Sequence, residues 1–198
     1  MVVLTYGEIT EKGIEVFDKY LTKKSQYNNH FLDLGSGKGK SLIYFHNRYP
    51  EINSITGIEY MKERHNAAVE LIKKTFIDAP EETSEKEYHY GKFHLYCGNF
   101  FDKRFSDIIQ KATLIYVSNL LNSKKTNDKI SKMVQDNTGA VVVSSLPLSK
   151  IHTKKTVLNQ SWASKGQGHI WTIGGKCKTR KASMSRSRVH SIKQNYKK

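Results

Sequence analysis

The chain has 198 residues, 37% hydrophobic and 11% aromatic, enough to bury one core of ordinary size and to exclude wholesale disorder. No apolar run approaches the roughly 20 residues that span a bilayer, and the first ten residues show no secretory-signal pattern. The charge is lopsided: residues 137–198 carry 13 Lys or Arg and no acid, whereas residues 1–136 hold 20 basic and 18 acidic side chains. A basic third of this kind points to a polyanionic partner. Two cysteines, Cys97 and Cys177, make neither a disulfide framework nor a metal-ligand spacing, so a reducing compartment is expected and no metal.

Residues 11–24 place Ile14, Phe17, Tyr20 and Leu21 along one side of an amphipathic helix. A short apolar strand over 30–34 then runs into a glycine-rich turn and a helix over 41–49 that closes before Pro50. Residues 54–60 read as a second strand and 62–77 as a long helix, followed by a polar, exposed loop over 78–92. Strands are expected over 92–100, 112–121 and 139–148, with short helices over 105–112 and 127–137 between them. Strands alternating with helices argue for a mostly parallel sheet covered on both faces, an α/β fold. A late hairpin pairs 157–164 with 168–173. From residue 174 the chain is rich in Ser, Lys and Arg without apolar periodicity, and reads as a disordered tail following a domain over 1–173.

The run Asp33, Leu34, Gly35, Ser36, Gly37, Lys38, Gly39 sits where a strand turns into a helix. Glycines there let the backbone approach a ligand, and an acceptor carboxylate stands at the strand end. The spacing is not that of a phosphate loop, and the third glycine comes one residue too early for the dinucleotide fingerprint. Gly39 taken alone reads as close helix–strand packing. Glu59 ends the second strand, where doubly wound folds hydrogen-bond a ribose diol. Asn99 follows the third strand and can bond an adenine edge, and Phe100 can stack on its face. The histidines show no ligand spacing, and Cys97 reads as buried and inert.

In that order after successive strands, Asp33, the glycines, Glu59, Asn99 and Phe100 resemble a class I S-adenosylmethionine methyltransferase, with its Rossmann-like, seven-stranded type of sheet. The flanks narrow the likeness. Tyr6, Gly7 and Glu8 precede the first helix, and Tyr116, Val117, Ser118, Asn119 and Leu120 end strand four. Ser144, Ser145, Leu146 and Pro147 end strand five, and Ser161, Trp162 and the run His169 to Ile173 form the hairpin. The series, over roughly 5–173, is similar to the Dot-type (disruptor of telomeric silencing) lysine methyltransferases, non-SET enzymes that methylate histone H3.

The resemblance implies that Tyr6 and Glu8 lie in a loop closing over S-adenosylmethionine, with Asp33, Gly35, Gly37 and Lys40 at its methionine end. Glu59 then binds the ribose, and Asn99 and Phe100 the adenine. Ser118 and Asn119 border the methyl-transfer point, while Trp162 and His169 wall the lysine channel. The chain would be a minimal form without the family's N-terminal helical lobe. Lys40 replaces a family Gln and Asn99 an Asp; Ser118, Leu120 and His169 replace an Asn, a Phe and a Tyr in the acceptor channel, where they bear on substrate or methylation state.

Such transfer is an in-line displacement by a neutral amine, so it rests on alignment in a water-poor channel. The expected substrate is a lysine of nucleosomal histone H3. Lys176, Lys178, Arg180, Lys181, Arg186 and Arg188 would hold nucleosomal DNA, and the expected location is the nucleus (a host's, if the source is viral) or otherwise the cytoplasm. An RNA or DNA methyltransferase, a methyltransferase of another basic protein, and a non-catalytic nucleic-acid-binding module are the alternatives. Base N-methyltransferases carry a proline-rich turn after strand four, and here that position reads Ser118, Asn119, Leu120, Leu121.

Overall fold

The computed structural model describes residues 8–21, 28–79, 84, 86–137, 139–148, 154–161 and 163–173. The strands are His30–Leu34 (β1), Ser54–Glu59 (β2), Glu87–Tyr90 (β3), Phe93–Cys97 (β4), Leu114–Val117 (β5), Val141–Ser144 (β6), Lys154–Gln160 (β7) and Ala163–Thr172 (β8). They form one sheet in the order β3-β4-β2-β1-β5-β6-β8-β7. Strands β4, β2, β1, β5 and β6 run parallel, and β3, β8 and β7 join antiparallel. The central strands are buried almost throughout, as a parallel sheet between helical layers requires.

Alternation across the strands builds two cores. Phe31, Ile55, Phe93, Tyr116 and Val143 meet Ile14 and Phe17, helix α2 (Lys40–Arg48) and helix α3 (Lys62–Thr75) on one face. Leu32, Ile58, Ile115, Val117 and Val142 meet α4 (Ser106–Lys111) and α5 (Lys124–Gln135) on the other. The Phe31 and Phe45 rings stack at 3.7 Å, with Phe17 edge-on to both.

Four local expectations change. The polar loop over 78–92 contains β3, an edge strand in which only Tyr88 is buried, so it shows no apolar alternation. It is an eighth strand beside the seven expected. The late hairpin turns at Ser161, after the Gln160–Ala163 pair closes the ladder, and residues 165–168 lie inside β8. Gly168 marks close packing: a Cβ there would stand 2.7 Å from Leu158 Cβ. The first helix is α1 (Glu11–Ile14), capped by the Thr10 hydroxyl and followed by a 3-10 turn over Glu15–Phe17. Gly39 packs on a helix, since its Cβ would lie 2.8 Å from Ala68 Cβ of α3. The tail from residue 174 lies outside the described residues.

Candidate functional site

From β1 the chain steps outward to β2 and β4, then returns to lay β5 and β6 on the other side. The carboxyl ends of β1 and β5 therefore border a crevice at a topological switch point, where open α/β sheets bind ligands. Asp33 of β1 and Tyr116 of β5 are register partners there.

Asp33 is 2% exposed. The Ser41 hydroxyl donates to its Oδ2 at 2.5 Å, while its Oδ1 is buried without a hydrogen-bond partner. Burial pushes the carboxyl up to about 7; the Ser41 bond opposes this, and the nearby Glu59 and Glu8 carboxylates add to it. The turn after Asp33 is held to β2 by Gly35 and Ser36 amides donating to the Ile58 carbonyl. Gly35 has φ +95, and a Cβ there would meet no atom within 4 Å, so backbone faces open space beside the carboxylate.

Glu59 is buried at the end of β2. Its Oε2 accepts from the Gly37 amide and its Oε1 from the Met61 amide, each at 2.8 Å. One carboxylate thus fixes both the glycine turn and the start of α3. Glu8 arrives from the N-terminal side because residues 8–10 dock along the end of β7: the Ser161 amide donates to the Glu8 carbonyl at 2.9 Å, and the Thr10 amide to Asn159 at 3.1 Å. Lys40, exposed at the start of α2, lies 3.6 Å from the Glu8 carboxylate. Asp33, Gly35, Gly37, Glu59, Glu8 and Lys40 are therefore brought together.

Asn99 is exposed in the turn after β4, where its Oδ1 accepts from the Phe101 amide at 3.0 Å. Phe100 is half-buried, 4.7 Å from Phe101, beside Met133 and Ile109 at a cleft of about 210 Å³.

Beyond β5 the polar groups bond one another. Asn119 is 0% exposed. Its Nδ2 donates to Asn127 Oδ1 and to the Leu146 carbonyl, both at 3.1 Å, and its Oδ1 accepts from the Leu146 amide at 2.8 Å. That side chain clamps the β5 loop to the β6 turn and to α5. Buried Gln160 donates from Nε2 to the Tyr116 hydroxyl at 2.9 Å and to Ser145 Oγ at 2.7 Å. Burial raises the Tyr116 phenol, as does the Asp33 carboxylate, against hydrogen bonds from Gln160, Ser118 and Ser145. Ser118, half-buried, belongs to this cluster. His169 on β8 pairs with Ser144 of β6 and Lys155 of β7, and burial, with Lys155 adding to it, pushes its imidazole down. Tyr6, Trp162 and the basic positions Lys176, Lys178, Arg180, Lys181, Arg186 and Arg188 lie outside the described residues.

The sequence matches the family described as "Histone methylation protein DOT1" over residues 3–168. The chain belongs to the DOT1 family. No curated relative matches it. Among solved structures, a mutant of MtNAS in complex with S-adenosylmethionine superposes with a TM-score of 0.51 at 10% identity, covering 82% of this chain and 62% of that one. The YcgJ protein from Bacillus subtilis gives a TM-score of 0.47 at 12% identity, covering 68% of this chain and 50% of that one. This chain spans less than two thirds of either, and at 10% identity the first likeness is one of fold. The fold is Rossmann-like, that of class I methyltransferases, and the cofactor of the DOT1 family member is S-adenosylmethionine.

The crevice fits that cofactor. Three buried side-chain atoms among the described residues have no partner: Asp33 Oδ1, His46 Nδ1 and Trp171 Nε1. Only the first belongs to the crevice, and an acceptor there suits a cationic amino group. Sequence reasoning singled out Asp33, Glu59 and the glycines but passed over Ser41, Gln160, and Tyr116 and Ser145 as site residues. Ser41 could have been found as the hydroxyl two residues beyond the last glycine, in the first turn of the helix. Gln160 carried no signal, because the hairpin had to fold before it met Tyr116. The rim is apolar: Tyr60, Leu120 and Leu121, three of the five exposed large hydrophobics among the described residues, stand just after β2 and β5. Among the described residues no group of three His, Cys, Asp or Glu could hold a metal ion, and no helix is long and apolar enough to cross a membrane.

Proposed function

We propose that the chain transfers a methyl group from S-adenosylmethionine to a lysine of nucleosomal histone H3. The observation that carries the reading is the unpartnered, buried Asp33 Oδ1 between the open Gly35 turn and the Glu59 carboxylate, in a chain of the DOT1 family. When bound, the cofactor supplies a methyl carbon already made electrophilic by the sulfonium. The protein's task is then binding, alignment and exclusion of water.

Asp33 receives the amino group of the methionine end, beside Gly35, Gly37 and Lys40. Glu59, steadied by the Gly37 and Met61 amides, keeps a free lone pair on each oxygen for the ribose diol. Asn99 and Phe100 take the adenine. Tyr6 and Glu8 close the loop above. Ser118 borders the transfer point, Asn119 positions the loop that carries it, and Trp162 and His169 wall the channel. A lysine entering that channel loses hydration, which lowers its pKa toward the neutral amine that attacks. Residues 1–173 form the catalytic domain, and the tail 174–198, with nine Lys or Arg and no acid, tethers the enzyme to nucleosomal DNA in the nucleus.

The test is a radiolabelled methyl-transfer assay on nucleosomes, free histones, RNA and DNA, with the full chain and with a truncation after Ile173. Label in histone H3, sharply reduced on nucleosomes by truncation, supports the reading. Label in RNA or DNA, or equal nucleosome activity without the tail, refutes the corresponding part.

A further inference from the structure

We propose that the outward face of α5 is a docking stripe for the sugar–phosphate backbone of a DNA duplex, beginning beside the acceptor edge of the crevice. The proposal extends the nucleosomal reading above to a surface of the folded domain. Helix α5 turns Asn127, Ile130, Ser131 and Val134 into the core. Lys125, Lys129 and Lys132, at i, i+4 and i+7, therefore share the opposite side, and all three are exposed.

Lys124 is paired with Asp128 at 3.2 Å. Among the described residues no carboxylate pairs with Lys125, Lys129 or Lys132; Lys129 lies 5.6 Å above the Phe101 ring, and exposed Asp136 closes the far end. Like charges along one helical face repel. Lys124 and Lys125 also occupy a first turn that holds no acid, where the positive end of the helix dipole disfavours cations. Lys125 meets both penalties, and among the described residues no carboxylate offsets it or Lys132, as expected at a functional surface.

The location agrees. The first turn of α5 is bonded to the loop after β5 through Asn119 and Asn127 at 3.1 Å, so the stripe starts at the acceptor edge. From residue 125 to residue 132 a helix rises about 10 Å, roughly three nucleotide steps along one strand. Lysines recurring about once per turn along a rigid helix suit an array of phosphates, read without regard to base sequence.

The full chain is titrated against a labelled random duplex of about 30 base pairs by fluorescence anisotropy, over about 50 to 300 mM salt. The triple variant Lys125→Gln, Lys129→Gln, Lys132→Gln should bind about tenfold more weakly near physiological salt and flatten the log–log salt slope by about 2.7, the share of three phosphates. A control triple on the other face and far edge, Lys19→Gln, Lys74→Gln, Lys86→Gln, should leave the slope near wild type. If the first triple is unstable in a thermal melt, Lys125→Gln and Lys132→Gln singly should each flatten it by about 0.9. An unchanged slope, equal loss in the control, or a stripe that prefers an acidic peptide such as polyglutamate to the duplex overturns the proposal. Methylation is not read here, so a chain that holds duplex through α5 yet labels no histone refutes the proposed function and leaves the stripe standing.

Discussion

Asp33 and Asn119 lie just at and beyond the carboxyl ends of adjacent strands, both almost fully buried, yet their hydrogen bonding is opposite. Asp33 has one oxygen satisfied by Ser41 and one with no partner. Asn119 uses both donor and acceptor ends on Asn127 and Leu146. The same contrast separates their surroundings: the β1–β2 side offers an open glycine turn, whereas Tyr116, Ser145 and Gln160 on the other side bond one another. A buried carboxylate oxygen without a donor costs stability and is retained where a ligand supplies the donor. A closed network holds a wall in place. The β1–β2 side is thus built to receive the cofactor, and the β5–β6 side to stay rigid while an acceptor is aligned against it.

The largest test fills the open side. Gly35→Arg puts an L residue at φ +95 and a long cation into the cofactor's space. The Cβ itself meets no neighbour, so the fold should survive with strain of about 1–3 kcal/mol. Calorimetric titration should detect no S-adenosylmethionine binding; wild-type affinity would place the cofactor elsewhere. The second test opens the closed side. Asn119→Ala strands the Leu146 amide and the Asn127 side chain, while the Leu146 carbonyl keeps the Ser144 hydroxyl, and should cost about 2–4 kcal/mol in denaturant unfolding. Cofactor affinity should change much less, and turnover should fall with the loosened loop. A variant of full stability with weakened cofactor binding would invert the comparison.

The open side was legible in the sequence and the closed side was not, for a physical reason. Asp33, the glycines and Glu59 each stand at the strand end or turn of a strand–turn–helix unit, so short-range spacing displays them, although the bond from the Gly37 amide to Glu59 joins two such units. The partners of Tyr116 come from positions 145 and 160, joined only when β8 and β7 add to β6. Asn119 was placed at the transfer point by resemblance; that its amide turns inward to Leu146 depends on a turn 27 residues away. Strand β3 escaped notice because an edge strand exposed on one side needs little apolar patterning. The hairpin was shifted because Gly166 and Gly168 resemble turn residues, whereas Gly168 serves close contact with Leu158.

Two smaller effects sharpen the contrast within the open side. Glu59→Gln cannot accept at both ends, so either the Gly37 or the Met61 amide loses its partner. Cofactor binding should weaken by about 1–3 kcal/mol, measured by the same titration; an unchanged affinity would remove Glu59 from the pocket.

The last effect is one of pH, and it is small for any single step of one pH unit. The Asp33 carboxyl is raised from 3.8 to about 7 by burial, so between those values the folded chain holds a proton that the unfolded chain has lost. Its contribution to the stability of the unliganded protein is therefore fully present below 3.8 and is lost as pH rises through about 7. A cationic amino group at Oδ1 acts the other way, because it favours the ionised carboxylate. Cofactor affinity should rise as pH approaches 7 from below, by up to about tenfold per pH unit (about 1.4 kcal/mol), and then level off. Asp33→Asn should bind more weakly and lose that dependence. Parallel profiles for wild type and Asp33→Asn would mean that the unpartnered oxygen is not where the cofactor's cation binds, and the contrast between the two sides would lose its functional meaning.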